Sequence, residues 1–249
     1  MSSFAAVTAV QPRPDDPLRY DVMLDAGWTI GGRPNGGYLL AAMARAGCLA
    51  LDAPVPLVVS GHFLRAPEPG PAEIAVEVTR LGRRVSQART TLWQNQKPCL
   101  DALVSAGAPP TASSDPDWTD LSEPDLTPPK DCPTGPPENF EVELLNHIDL
   151  RVDPRTAPFP TPSGDPVVRA WFRLLDDEPM DVFAVLLAVD ALPPTVFNLS
   201  RYGWAPTVEL TVVVRGVPSP GWLKVEARTR AVIGGWFDEE AAVWDSQGR

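Results

Sequence analysis

The chain has 249 residues, a formal net charge of −11 and 44% apolar side chains, enough to bury one large core or two modest ones. That acidic balance argues against nucleic acid or an anionic membrane surface as the principal partner, and no apolar run approaches the ~20 residues of a bilayer span. Cys48, Cys99 and Cys132, with His62 and His147, are scattered without metal-ligand spacing, which suits a metal-free protein of a reducing cytoplasm.

Met1 to Gln11 lacks a basic segment followed by a long apolar core, so no secretion signal is expected. The first strong element is a helix from about Gly37 to Leu51. Arg45 is its only charge, so it should be buried on nearly all sides. Strands are predicted over Leu57–Leu64, Ala72–Leu81, Val85–Trp93 and Cys99–Ala106, where β-branched and alternating residues are separated by Pro/Gly punctuation. Ala108 to Pro137 is rich in Pro, Ser, Thr and Asp and reads as a linker. A second Pro-rich stretch, Pro154–Pro166, should loop between strands of the second half. Strand pattern returns at Val167–Leu175. A second apolar helix is predicted from about Pro179 to Leu192, with Asp176 or Asp177 as its cap and Pro193-Pro194 ending it. Further strands follow over Val208–Val214, Leu223–Val232 and Trp236–Trp244.

These elements occur as two copies about 150 residues apart. Arg65-Ala66-Pro67-Glu68-Pro69-Gly70, Ile74-Ala75-Val76-Glu77 and Trp93-Gln94-Asn95-Gln96 align with Arg215-Gly216-Val217-Pro218-Ser219-Pro220-Gly221, Leu223-Lys224-Val225-Glu226 and Trp244-Asp245-Ser246-Gln247. A repeat of that length is the size of a domain. A wholly apolar helix beside several antiparallel strands implies a sheet curled around the helix, since only curling buries it on all sides. The expectation is an α+β chain with an N-terminal domain over 12–107, a Pro-rich linker over 108–140 and a C-terminal domain over 141–249. The second copy is expected to stop before its last strand. That would leave an unprotected edge at or beside Trp236–Trp244, and with it self-association or poor solubility.

Three groups of residues carry candidate chemistry. Asp190 is the only charge between Val182 and Arg201, near the C-terminus of an apolar helix where the dipole disfavours a carboxylate. Its alternative is a solvated place where that helix frays. Asn35-Gly36-Gly37 opens the first helix and offers free backbone N–H groups for an oxyanion, or else forms an ordinary capped turn. Arg83, Arg84 and Arg89, with Arg65 and Arg80, form the densest basic cluster. They suit a phosphate-bearing ligand or simple pairing with nearby acids.

Asn35-Gly36-Gly37-Tyr38, Ser60-Gly61-His62-Phe63-Leu64-Arg65-Ala66-Pro67 and Gly82-Arg83-Arg84-Val85-Ser86-Gln87-Ala88-Arg89 resemble the N-terminal half of TesB-like acyl-CoA thioesterases. The resemblance implies a double hotdog, two tandem copies of a long helix wrapped by a curved antiparallel sheet. It implies a cytoplasmic hydrolase of fatty acid metabolism, acting on acyl-CoA without a cofactor and forming a homo-oligomer. The family's hydrolytic Asp matches Asp190 and its Ser/Thr matches Thr207, while its Gln would follow Arg249. The resemblance thus assigns Asp190 to activating water, Thr207 to positioning it, Asn35, Gly36 and Gly37 to the oxyanion, and Arg83, Arg84 and Arg89 to CoA. The alternative is a non-catalytic acyl-CoA or lipid-binding double hotdog protein. The dehydratase branch is disfavoured, because neither His62 nor His147 has its His-x-x-x-Gly context, and no Gly-x-Ser-x-Gly elbow supports a serine hydrolase.

Overall fold

The structure is a computed structural model and describes residues 3–109, 118–135, 142–175 and 178–249. Its helices are α1 (Phe4–Val7), α2 (Gly36–Ala50) and α3 (Val182–Ala188). The strands of the first half are β1 (Gln11–Pro12), β2 (Arg19–Leu24), β3 (Thr29–Ile30), β4 (Arg33–Pro34), β5 (Val55–Phe63), β6 (Gly70–Arg80), β7 (Val85–Gln94) and β8 (Lys97–Gly107). Those of the second half are β9 (Ile148–Val152), β10 (Val167–Leu174), β11 (Glu209–Val213), β12 (Leu223–Arg228), β13 (Val232–Ile233), β14 (Trp236–Phe237) and β15 (Glu240–Trp244). No helix of the described residues is long and apolar enough to cross a membrane.

α2 forms where its pattern predicts. The Asn35 carboxamide caps it by accepting from the Tyr38 N–H at 2.9 Å, and every residue from Gly37 to Ala44 is buried. The seven-stranded antiparallel sheet around it has the order β1-β2-β6-β7-β8-β5-β11. Ile74 and Val76 of β6 and Leu100, Ala102 and Val104 of β8 turn inward. Its last member belongs to the second half: β11 pairs with β5 from Glu209↔His62 to Val213↔Val58. A four-stranded sheet, β15-β12-β10-β9, serves the second half, and one continuous core joins the two. This is the expected double hotdog.

The second copy departs from its predicted bounds at α3 and at the strand that follows β11. α3 spans only seven residues, capped by Asp181, whose carboxylate accepts from the Ala184 N–H at 2.8 Å. Asp176 and Asp177 lie outside the described residues. The strand predicted through Val232 breaks after Arg228, and Gly234 and Gly235, both at positive φ, turn β13 back onto β14. The described part of the Pro-rich connection also straps the second sheet. The Thr127 carbonyl accepts from the Trp171 indole at 2.8 Å, the Thr127 N–H donates to Asp153, and Leu126 and Cys132 are buried.

The two helices approach as closely as backbone permits. A Cβ on Gly37 would lie 2.2 Å from the Leu186 carbonyl oxygen and 2.9 Å from Leu187 Cα. Elsewhere in a helix Gly→Ala gains about 1 kcal/mol. Here the added methyl must push two backbones apart, so Gly37→Ala should lower stability by about 1–3 kcal/mol in urea unfolding despite its better propensity. An unchanged or raised midpoint would show that the helices part freely.

β15 pairs only with β12, and β11 only with β5, among the described strands. Each presents an unpaired row of backbone donors and acceptors, so size-exclusion chromatography with light scattering should show self-association at micromolar concentration. A monodisperse monomer would contradict this.

Candidate functional site

Asp190 lies in the turn just past α3, where its N–H still donates to the Leu187 carbonyl at 3.1 Å. The close crossing at Gly37 carries it onto the N-terminus of α2. Its Oδ2 accepts from Asn35 Nδ2 at 2.9 Å and from the Gly37 N–H at 3.0 Å, and Asn35 Nδ2 also donates to the Asp190 carbonyl at 2.8 Å. A Cβ on Gly36 would lie 2.8 Å from Oδ2, so glycine alone lets the carboxylate seat there. The unfavourable dipole expected at the end of its own helix is answered by the favourable end of the other.

Oδ1 faces Thr207, whose hydroxyl donates to it across 3.4 Å. Thr207 is brought in by β11: the next residue, Val208, offers its carbonyl to the Phe63 N–H at the end of β5, at 2.9 Å. Asp190, Thr207, Asn35, Gly36 and Phe63 all line one cavity of about 3340 Å³ that continues along the unpaired edges of β11 and β15.

Burial pushes the Asp190 carboxyl up to about 6, although the residue keeps some surface toward the cavity. The Gly37 and Gly36 N–H groups oppose that rise, as does Thr207, while the negative charge of Glu239 adds to it. Glu239 lines the same cavity and accepts from the Thr195 N–H at 2.7 Å. It is a site residue that the sequence reading missed, since one acid among several in Asp238-Glu239-Glu240 carries no local signal.

The other two sets of expected residues lie as follows. The Gly37 N–H bonds the Asp190 carboxylate at 3.0 Å and with Asn35 holds the acid in place, while the Gly36 N–H opposes the rise of that carboxyl. Arg83, Arg84 and Arg89 are not at this site. Arg89 pairs with Asp101 at 2.6 Å on the outer face of the first sheet. Arg83 and Arg84 sit in the β6–β7 turn, where Val85 and Val55 both pair with Gly107, at the far end of α2. Fifteen helical residues, about 22 Å, separate that end from Asn35. The arginines that do line the cavity near Asp190 are Arg33, two residues before Asn35, and Arg65, two after Phe63. Trp204 lines the cavity, whereas Trp28 is fully buried against Phe4, Tyr38 and His147.

Comparisons with known proteins agree on one family. Residues 24–107 match the model of the acyl-CoA thioesterase N-terminal domain, and residues 124–249 that of the acyl-CoA thioesterase C-terminal domain. An uncharacterized protein of Mycobacterium tuberculosis is 32% identical over 99% of this chain and 94% of its own length. A thioesterase-like protein of Talaromyces wortmannii, TwmA, is 26% identical over 96% and 87%. Among solved structures, a candidate thioesterase II of Thermobifida fusca YX is 32% identical with a TM-score of 0.87, covering 100% of this chain and 94% of that one. The acyl-CoA thioesterase II TesB2 of Mycobacterium marinum is 18% identical with a TM-score of 0.73, over 99% and 93%, and shares the fold.

The raised Asp190 carboxyl makes a stability prediction. A carboxyl held above its ordinary 3.8 stabilises the fold fully below that value, and this is lost as pH rises through about 6. Asp190→Asn keeps an acceptor for Gly37 and a donor for Thr207 but cannot ionise. The variant's unfolding free energy should therefore gain on wild type between pH 4 and pH 7, by on the order of 3 kcal/mol. A difference that stays constant across that range would mean the carboxylate is not desolvated.

Proposed function

The chain belongs to the acyl-CoA thioesterase family, and we propose that it hydrolyses an acyl-CoA thioester to a free acid and CoA. The observation that supports this best is the division of labour at Asp190. One carboxylate oxygen is anchored by the N-terminus of α2, and the other is left facing Thr207 and the cavity. A carboxylate so placed is oriented, partly desolvated and more basic than usual, which are the attributes of a general base.

In this reading a water held between Asp190 Oδ1 and Thr207 Oγ1 attacks the thioester carbonyl carbon. Its proton passes to Asp190, and the carbonyl π electrons move onto oxygen. Protonation removes the charge that held the Gly36 N–H. Gly36 lines the cavity, so its N–H can then turn to the new oxyanion. Collapse of the tetrahedral intermediate breaks the C–S bond, and the CoA thiolate leaves and recovers the proton from Asp190. Arg33 and Arg65, in place of the Arg83 cluster, meet the phosphates of CoA at the cavity mouth; each guanidinium offers forked donors to a phosphate. The product acid would give the protein its place in fatty acid metabolism, and CoA thioesters as substrates suit a cytoplasmic setting.

Thiol release from a panel of acyl-CoAs tests the assignment. Asp190→Asn should lower kcat by at least about 10²-fold while acyl-CoA binding is retained. Wild-type kcat/KM should rise with pH and level off above an apparent pKa near 6, because only the carboxylate accepts the proton. Arg65→Ala and Arg33→Ala should raise KM several-fold with kcat nearly unchanged, an effect that shrinks with added salt. Binding without turnover in wild type would favour the non-catalytic alternative.

A further inference from the structure

Aromatic rings from separate segments line the cavity that holds Asp190. Phe63 ends β5, and its ring edge comes within 2.9 Å of where a Gly36 Cβ would stand, next to the carboxylate. Past α3, Phe197 is buried and packs in a ring cluster with Phe159 of the Pro-rich loop and Tyr202. The centroids lie 5.9 Å apart for Phe159–Phe197, 5.8 Å for Phe159–Tyr202 and 5.6 Å for Phe197–Tyr202. Phe159 and Phe197 both line the cavity, so that part of the wall is held by its own stacking.

Two further rings are exposed. Trp204, three residues before Thr207, keeps 66% of its surface in solvent, and Trp236, in the β13–β14 hairpin, keeps 69%. Both line the same cavity. An indole that the core leaves uncovered, at the rim of a cleft holding a general base, is placed to meet a ligand rather than to stabilise the fold. Exposed ring faces gain most from a flat, rigid acyl group that can stack on them.

We propose that the acyl subsite selects thioesters bearing a ring, with Trp204 and Trp236 contacting that ring over a base formed by Phe197 and Phe159. This rests on the thioesterase reading and names its substrate class. Aryl-bearing acyl groups fit such a wall because offset or edge-on ring pairs add to the area they bury, and an alkyl chain gains only the area.

The test compares 3-phenylpropanoyl-CoA with octanoyl-CoA, which match closely in chain size. Wild type should show kcat/KM about tenfold higher for the phenyl ester, as expected for one or two ring pairs. Trp204→Ala and Trp236→Ala should each lower kcat/KM for the phenyl ester by roughly five- to tenfold, mainly through KM, and leave octanoyl-CoA within about twofold. Trp204→Phe should restore most of the loss. Equal or better hydrolysis of octanoyl-CoA, or equal losses on both esters in Trp204→Ala, would overturn the proposal while leaving the thioesterase reading intact. If wild type hydrolyses neither ester, that reading fails. Calorimetric binding of the two esters then decides the ring preference alone: about tenfold tighter binding of the phenyl ester keeps it, and equal or absent binding ends it.

Discussion

The structure depends on how α2 and α3 are tied together, antiparallel, at two points. At one, the N-terminus of α2 grips Asp190 just past the end of α3. At the other, Arg45 in α2 meets Asp181, the cap of α3, at 3.3 Å and lays its guanidinium 3.9 Å over the Phe183 ring. Ten residues separate Asn35 from Arg45 and nine separate Asp181 from Asp190, about 15 and 13.5 Å at helical rise, so both ties close together only in one register. The Arg45–Asp181 pair is partly exposed and contributes modestly, on the order of 1 kcal/mol at most. The closeness comes from Gly37, whose missing side chain admits the α3 backbone.

That arrangement explains how a fold tolerates a carboxylate it has largely stripped of water. Burial alone would drive Asp190 neutral. Two backbone N–H groups, a carboxamide and the positive end of a fifteen-residue helix offset part of the cost, and the balance leaves the carboxyl near 6, within reach of ionisation at neutral pH. A fully solvated Asp would be a weak base, and a fully buried one would remain protonated. The same N–H groups that would serve an oxyanion are thus committed to the acid first. In the proposed mechanism, the Gly36 N–H serves the oxyanion only as the acid gives up its charge.

The first half was legible because its signals are local. The capping Asn35, the helix with a single charge and the alternation in β6 each follow from adjacent residues, and with the neighbouring strand patterns they mark β5 to β8, four of the sheet's seven strands. β2 escaped, although Tyr20, Val22 and Leu24 alternate inward over six residues, because no comparable run lies beside it to mark a hairpin. Asp190 was legible as a charge in the wrong place. Its grip by Asn35 was not, because that partner lies 155 residues away. The distance of the Arg83 cluster from Asp190 was hidden for a related reason. Density along the chain says nothing about which end of α2 a turn occupies, whereas Arg33 and Arg65, isolated in sequence, are carried to the site by Asn35 and Phe63. Glu239 likewise joins the site only through tertiary packing.

The site is shared between copies in a way that a duplicated chain makes possible. Asn35, Gly36 and Phe63 come from the first half, and Asp190, Thr207 and Glu239 from the second. β11 crosses into the first half's sheet to deliver Thr207. The corresponding place on the first helix, past its far end at Leu51, leads through Asp52 at positive φ directly into β5 and carries no acid onto a helix N-terminus. The two halves have therefore diverged into donor of the helix N-terminus and donor of the base. Ending α3 at Ala188, five residues before Pro193, frees the segment that bears Asp190, Phe197 and Trp204 to line a cavity instead of continuing a buried helix. Asymmetry between copies, more than any single residue, turns a repeated structural unit into one site.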